Sequence, residues 1–370
     1  MWRVVVINCL LLGIAFLVAE LIFGTWFSDQ HALMKFTKLR NYEKVQENPI
    51  HVGKPTVTYS RDNYGFRGLE GDVSDIDILT VGGSTTDQRW VDNSQTYQAV
   101  MRDLFAASGQ SVSIVNAGID GQSTFGHIAN FSSWFNEIPN LDARYVLYYV
   151  GINDLLISQP TDTYDVVALE DNAYNNLKAT IKTKSVFYQL YRVVKSAFAE
   201  EHSLNELNRT NIADREPLVT EPKISAPLDV VFGPSLESYT DRISELAKLT
   251  RDFGAEPIFV TQRSARWTRR NGQVAGIAEY QPDFFELVRQ QLPKEYQNLN
   301  GVDFYRFERA LADAQMAACE NVDAICLDLM AEIDFDLASD FYDPIHTSAT
   351  GSQAIGEYLY SRLGNLELGD

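Results

Sequence analysis

Leu79-Thr80-Val81-Gly82-Gly83-Ser84-Thr85-Thr86 is the stretch on which the reading of this chain turns. A largely apolar run, Ile76 to Val81, feeds a Gly-Gly turn that presents one serine, and a helix-compatible segment follows. Glycines lack Cβ, so the backbone bends there and a substrate can approach, while the serine falls at a helix N-terminus. Alone, this is an ordinary strand-to-helix turn. Its surroundings give it chemistry.

Outward from that turn, short apolar runs recur at Val112–Val115, Tyr145–Val150, Pro257–Thr261 and Ala324–Leu327. Runs of this kind read as strands covered on both faces. Helical periods separate them, as in Ser238–Phe253, where Tyr239, Ile243, Leu246, Leu249 and Phe253 recur. Alternating strands and helices imply an α/β fold with a parallel, doubly wound sheet, which binds ligands outside the carboxyl ends of its strands.

Four motifs sit at those ends. They are Gly83-Ser84; Asn116-Ala117-Gly118-Ile119-Asp120-Gly121-Gln122-Ser123; Gly151-Ile152-Asn153-Asp154; and Asp343-Pro344-Ile345-His346, just before a last helix at about 350–363. A serine hydroxyl is a weak nucleophile until a base removes its proton, and histidine is the side chain tuned near neutral pH. The histidine in turn needs an orienting carboxylate, and Asp343 lies one tight turn before His346. Attack on an ester carbonyl builds an oxyanion, for which the N–H of Ser84, the N–H of Gly121 and the amide of Asn153 are candidate donors. Gly118 competes with Gly121 for that role, and His127 reads as a structural or pocket-wall residue inside a helix.

The rest of the chain bounds the setting. The net charge of −19 argues against nucleic acid as a partner. No zinc-ligand spacing or phosphate loop is present, so neither a metal nor a cofactor is expected. Val4 to Phe27 is almost wholly apolar and, at about 1.5 Å per residue, rises about 36 Å. It reads as an uncleaved signal anchor, although the flanking lysines and arginines do not settle its orientation. Residues 28–72 follow as a juxtamembrane segment with a β-prone stretch, Thr56-Val57-Thr58, and a turn from Tyr59 to Gly68 to which no chemistry is assigned. Cys319 and Cys326 are expected as buried thiols rather than a pair.

Two stretches interrupt the strand–helix rhythm, at about 155–234 and 264–307, and both are placed to roof the site. The first is expected to be helical over 174–198. The second holds Arg266, Trp267, Arg269, Arg270, Tyr280, Phe284 and Phe285. Aromatic faces suit sugars and guanidinium groups suit anions, so Arg266 and Trp267 are expected to contact substrate.

The four motifs resemble those of the SGNH (GDSL-like) hydrolase family over about residues 75–363. That resemblance implies a flavodoxin-like three-layer αβα sandwich with a five-stranded parallel sheet, here preceded by one transmembrane helix. The hydrolase-like domain is then expected over 73–370, after an anchor at 1–27. The resemblance implies Ser84, Asp343 and His346 as catalytic residues, with Gly121 and Asn153 joining Ser84 in the oxyanion hole. One departure is Gly83, where the family has aspartate. The Gly-Gly-Ser-Thr-Thr form with an N-terminal anchor is similar to a branch associated with bacterial surface polysaccharides, which favours the N-terminus inside and the body outside.

The implied function is a membrane-anchored serine esterase that removes O-acyl, chiefly O-acetyl, groups from an extracytoplasmic glycan. Two alternatives stand beside it: an O-acetyltransferase using the same triad, and a catalytically silent glycan-binding or assembly component. A lipase reading is weaker, because neither interruption shows an exposed apolar stripe. Oligomeric state is not legible.

Overall fold

The computed structural model describes residues 2–24, 26–27, 42–50, 52–68, 72–156, 181, 184–188, 190–191, 218–225, 227–278, 299–366 and 368. In chain order its elements begin with α1 (Trp2–Phe23), β1 (Tyr42–Glu47), β2 (Thr56–Arg61), β3 (Ile76–Gly82) and the single-turn helix α2 (Ser84–Asp87). Next come α3 (Tyr97–Ala107), β4 (Ile114–Asn116), α4 (Thr124–Ser133), β5 (Ala143–Tyr149), β6 (Leu218–Val219) and α5 (Leu228–Phe253). The chain continues with β7 (Glu256–Val260), β8 (Trp267–Arg270), β9 (Gln273–Ile277), α6 (Gly301–Asn321), β10 (Ile325–Leu327), α7 (Leu329–Glu332) and α8 (Ala349–Leu363).

The central sheet runs β10-β7-β5-β3-β4, and every pairing in it is parallel. Numbered among themselves, these strands lie in the order 2-1-3-4-5 of flavodoxin-like sheets, which reverses beside the first strand. That strand is β3, the one ending in Gly82-Gly83-Ser84, so the topology sets the serine at the switch point.

Successive side chains of a strand point to opposite faces, and both faces here are apolar. Leu79, Val81, Val146, Tyr148 and Phe259 pack on one side with Phe131 of α4, Tyr239, Ile243 and Leu246 of α5, and Phe304 and Leu311 of α6. Ile78, Leu147, Tyr149, Ile258 and Val260 pack on the other with Tyr97, Met101 and Phe105 of α3 and Ile355 and Leu359 of α8. The result is a three-layer αβα sandwich. Each fully buried aliphatic or aromatic side chain contributes roughly 1.5–3 kcal/mol of transfer free energy.

Helix ends are capped from the sequence. Asn300 and Asp303 form a reciprocal capping box at the start of α6, and Ser348 accepts from Gly351 N–H at the start of α8. Gly254, at φ +102°, closes α5 in the left-handed conformation.

Three expectations change. Cys319 at the end of α6 and Cys326 in β10 form a disulfide, their Cα atoms 5.9 Å apart, rather than remaining thiols. The juxtamembrane turn belongs to an antiparallel pair, β1 with β2, whose first strand (Tyr-Glu-Lys-Val-Gln-Glu) lacks the apolar run that marks a strand. The 264–307 stretch contains the β8–β9 hairpin, against which β6 also pairs. Most of residues 155–234, including most of the 174–198 helix expectation, lies outside the described residues, as do Tyr280, Phe284 and Phe285.

The helix α1 is long and apolar enough to cross a membrane, with a mean hydropathy of 2.6 and none of its residues buried in the protein. In its last turn, Glu20 accepts hydrogen bonds from Trp26 Nε1 (3.0 Å), Ser185 Oγ (2.5 Å) and Val186 N–H (3.2 Å).

Candidate active site

Ser84 follows β3 through two glycines that have no room for a side chain. A Cβ on Gly82 would lie 2.1 Å from Thr86 Oγ1 and 2.7 Å from the Tyr149 carbonyl oxygen. One on Gly83 would lie 2.4 Å from Asn153 Nδ2 and 2.9 Å from the Gln122 carbonyl oxygen. The Asn153 amide thus occupies the space that a side chain at Gly83 would need. Ser84 then opens α2, half-buried, with Thr85 to Asp87 buried behind it.

His346 comes to Ser84 from the far end of the chain. Its Nε2 is 2.7 Å from Ser84 Oγ, and its Nδ1 is 2.6 Å from Asp343 Oδ2. An ionised carboxylate only accepts, so Nδ1 carries the proton and Nε2 offers its lone pair to the hydroxyl. Asp343 Oδ1 accepts from the N–H of Ile345 (2.8 Å) and of His346 itself (2.7 Å), which fixes the carboxylate within its own turn. Pro344 O accepts from Ala265 N–H at 2.9 Å and pins that turn to the loop after β7. The Tyr342 ring stacks on the imidazole, with centroids 5.6 Å apart and planes within 10°.

Electrostatics agree with the geometry. Burial pushes the Asp343 carboxyl up, but the His346 imidazolium and the two N–H donors outweigh it and hold Asp343 below the usual carboxylate range. Burial pushes His346 down, but Asp343, with Asp120 and Asp87 farther off, leaves it above the usual histidine value. His127, by contrast, is buried and pushed down to about 3 by desolvation alone. It is neutral in the core.

The candidate oxyanion donors come from three turns, after β3, β4 and β5. Asn153 follows β5, and its Nδ2 gives one proton to the Gln122 carbonyl oxygen at 2.7 Å, leaving its second N–H uncommitted. Gly121 has a φ of +76°, a conformation that glycine adopts without penalty. Among the described residues, the N–H groups of Ser84 and Gly121 make no hydrogen bond. Gly118, the competing glycine, gives its N–H to Asn116 Oδ1 at 2.8 Å and is therefore occupied.

Two glutamines that sequence reasoning missed brace this arrangement. Gln262, after β7, donates through Nε2 to Thr85 Oγ1 (2.7 Å) and Tyr149 O (2.8 Å), while its Oε1 accepts from Ile152 N–H (2.8 Å). It joins the serine turn to the Gly151–Asp154 loop. Gln88, with φ +49°, donates to Thr347 Oγ1 (3.2 Å) and Ser352 Oγ (2.5 Å) and accepts from Tyr97 N–H (3.0 Å), joining the same turn to the histidine loop. Asp154 is buried next to Asn153, where it accepts from Thr124 Oγ1 at 2.5 Å and pairs with Arg242 at 3.2 Å. Nothing in the local sequence marks a polar side chain as a brace, since its partners lie far along the chain.

A hydroxyl bonded to an oriented imidazole, with free N–H groups beside it, is equipped for nucleophilic attack on an acyl carbon. No family model and no curated protein matches the sequence. Among solved structures, the fold is similar to TesA, with a TM-score of 0.41, 13% identity, and coverage of 78% of this chain and 97% of that one. It is also similar to the psychrotrophic esterase EstA from Pseudoalteromonas sp., at 0.41, 11%, 78% and 97% in the same order. A catalytic mutant of Axe2, an acetylxylan esterase from Geobacillus stearothermophilus, gives 0.40, 13%, 78% and 94%.

The expected substrate contacts, Arg266 and Trp267, are not at a surface. Both are 0% exposed. Trp267 Nε1 donates to Glu308 Oε2 at 2.7 Å, and its ring carries the Arg263 guanidinium at 3.9 Å from the centroid. Arg266 lies 4.4 Å over the Phe304 ring and 3.6 Å from Glu308 Oε1. A buried carboxylate on α6 thus draws in both residues to anchor the β8–β9 hairpin, and neither is available to stack on a sugar.

Proposed function

We propose that this chain is an SGNH-type serine hydrolase in which Ser84 attacks an ester carbonyl, His346 acts as base and then acid, and Asp343 orients His346. Ser84 N–H, Gly121 N–H and Asn153 Nδ2 hold the developing oxyanion. The observation that carries this reading is the unbroken line of hydrogen bonds, 2.7 Å from Ser84 Oγ to His346 Nε2 and 2.6 Å from Nδ1 to Asp343.

The acyl group transferred is O-acetyl, and the substrate is an extracytoplasmic glycan. This finer part rests on the resemblance of the Gly-Gly-Ser-Thr-Thr form with its anchor. The Cys319–Cys326 disulfide supports the compartment, since such bonds persist where the surroundings are oxidising. We read α1 as a membrane span with the hydrolase body outside the cytoplasm, an orientation that the disulfide supports.

The test compares wild-type protein with Ser84→Ala on 4-nitrophenyl acetate and on an O-acetylated oligosaccharide. Acetate release that depends on Ser84 is the expected result. Equal rates for the two proteins would refute the assignment, and acetyl transfer to an acceptor sugar without acetate release would move it from hydrolase to transferase.

A further inference from the structure

The turn from Tyr59 to Gly68 has no part in the chemistry above, yet two of its arginines are sunk beneath the serine. Arg61 is 6% exposed and Arg67 3%. Arg61 Nη2 donates to Asp87 Oδ1 at 2.6 Å and to the Gly118 carbonyl oxygen at 2.7 Å. Asp87 closes the one-turn helix that Ser84 opens, and Gly118 begins the loop that carries Gly121. One guanidinium therefore spans the nucleophile's helix and the glycine loop, at their closest approach: a Cβ on Gly118 would lie 2.3 Å from Asp87 N.

Tyr59 completes the ring of bonds. Its hydroxyl donates to Asp87 Oδ1 at 2.9 Å and accepts from Arg61 Nε at 2.7 Å. Arg67 gathers backbone carbonyl groups at and just beyond the C-terminal end of α2. It donates to the carbonyl oxygens of Asp87, Gln88 and Val91, and its own N–H bonds to Asn116 O at 2.9 Å, at the edge of β4. A cation there also meets the negative end of the helix dipole.

We propose that Arg61 and Arg67 are positioning residues for Ser84: they set the spacing between the nucleophile's helix and the glycine loop, and Arg61, 2.6 Å from Asp87 Oδ1, offsets the charge of that carboxylate. This rests on the reading of Ser84 as nucleophile. The groups acting on His346 are Asp343, Tyr342, Asp120 and Asp87, and those acting on Asp87 are Arg61, Arg67, Tyr59 and Asp120. With Arg61 gone, the Asp87 carboxylate holds the imidazolium more firmly, so the histidine deprotonates at higher pH. A loss of packing alone would slow the enzyme without moving that titration.

The experiment uses the full chain in detergent, with 4-nitrophenyl acetate turnover followed across pH and with fluorophosphonate labelling of Ser84. Arg61→Lys keeps the charge but cannot bridge both partners with a planar fork, so kcat falls about tenfold or more while KM and the acid limb stay in place. Arg61→Met lowers kcat by about a hundredfold and raises the acid limb by about half a pH unit, and adding Asp87→Asn returns the limb to its starting place. The labelling rate falls with kcat in each case. Should Arg61→Met fail to fold, kcat and labelling of Arg61→Lys decide.

Wild-type rates in Arg61→Lys, or a slowed Arg61→Met with an unmoved acid limb, would overturn the proposal while leaving Ser84-dependent hydrolysis intact. Turnover indifferent to Ser84→Ala would instead remove the hydrolase reading and this proposal with it.

Discussion

Gly83 and Asn153 share a space that admits one side chain: a Cβ on Gly83 would stand 2.4 Å from Asn153 Nδ2. The backbone at Gly83 has φ −83°, a value any residue adopts, so the constraint is steric rather than conformational. Gly83→Ala is therefore expected to push the amide off the Gln122 carbonyl oxygen and away from the oxyanion position. Loss of one such donor costs roughly 10²–10³ in kcat. Steady-state kinetics should show kcat falling in Gly83→Ala and Asn153→Ala alike, with KM little changed, and the double variant should be no worse than Asn153→Ala alone.

Under the proposed mechanism the histidine sets the pH dependence. Only neutral His346 accepts the Ser84 proton, and burial, which lowers its pKa, is outweighed by Asp343, which raises it above the usual value. The acid limb of kcat/KM should therefore fall at a pH above about 6.5, the unperturbed histidine value. Asp343→Asn removes the attraction, so the limb should move to lower pH while kcat drops by about 10³–10⁴-fold. A pH–rate profile of the two proteins checks both signs.

The motifs of the candidate site were legible in sequence because each is short, three of them following directly on a strand and the fourth preceding the last helix. The five central strands could be placed within about two residues, since burial on both faces leaves largely apolar runs such as Ile76 to Val81. Arg266 and Trp267 were misplaced for a physical reason. An arginine beside a tryptophan reads as a binding surface unless its counter-charge is known, and Glu308 lies on a helix formed much later in the chain. Arg61 and Arg67 were opaque in the same way, because their partners Asp87 and Gly118 are neighbours only after folding. The β1 strand was hidden by its polar sequence, and its pairing with β2 supplies what periodicity does not.

Burial of Trp267 makes it a stability residue. Trp267→Ala opens a cavity beneath the β8–β9 hairpin and removes one of the donors to Glu308, which keeps Ser264 N–H at 3.1 Å, at a cost of about 3–5 kcal/mol. The expected outcome is a clear drop in the urea midpoint. Refolded fractions should show KM for the acetyl ester within about twofold of wild type, the scatter common to substitutions remote from a site.

The disulfide closes a loop with a sequence separation of 7, from the end of α6 to β10. Cross-linking so short a loop contributes about 2–3 kcal/mol by restricting the unfolded chain. Reduction, or a Cys319→Ser/Cys326→Ser variant, should lower Tm by several degrees while leaving Ser84-dependent turnover at 25 °C unchanged. Scanning calorimetry with and without reductant measures it.

Intact-protein and peptide mass spectrometry after treatment with a fluorophosphonate tests the central claim most directly, since that reagent reports an activated serine. The expected result is a single adduct on Ser84, formed rapidly in wild type and lost when His346 is replaced by alanine. No adduct, an adduct on another serine, or labelling of Ser84 that proceeds equally well without His346 would contradict it.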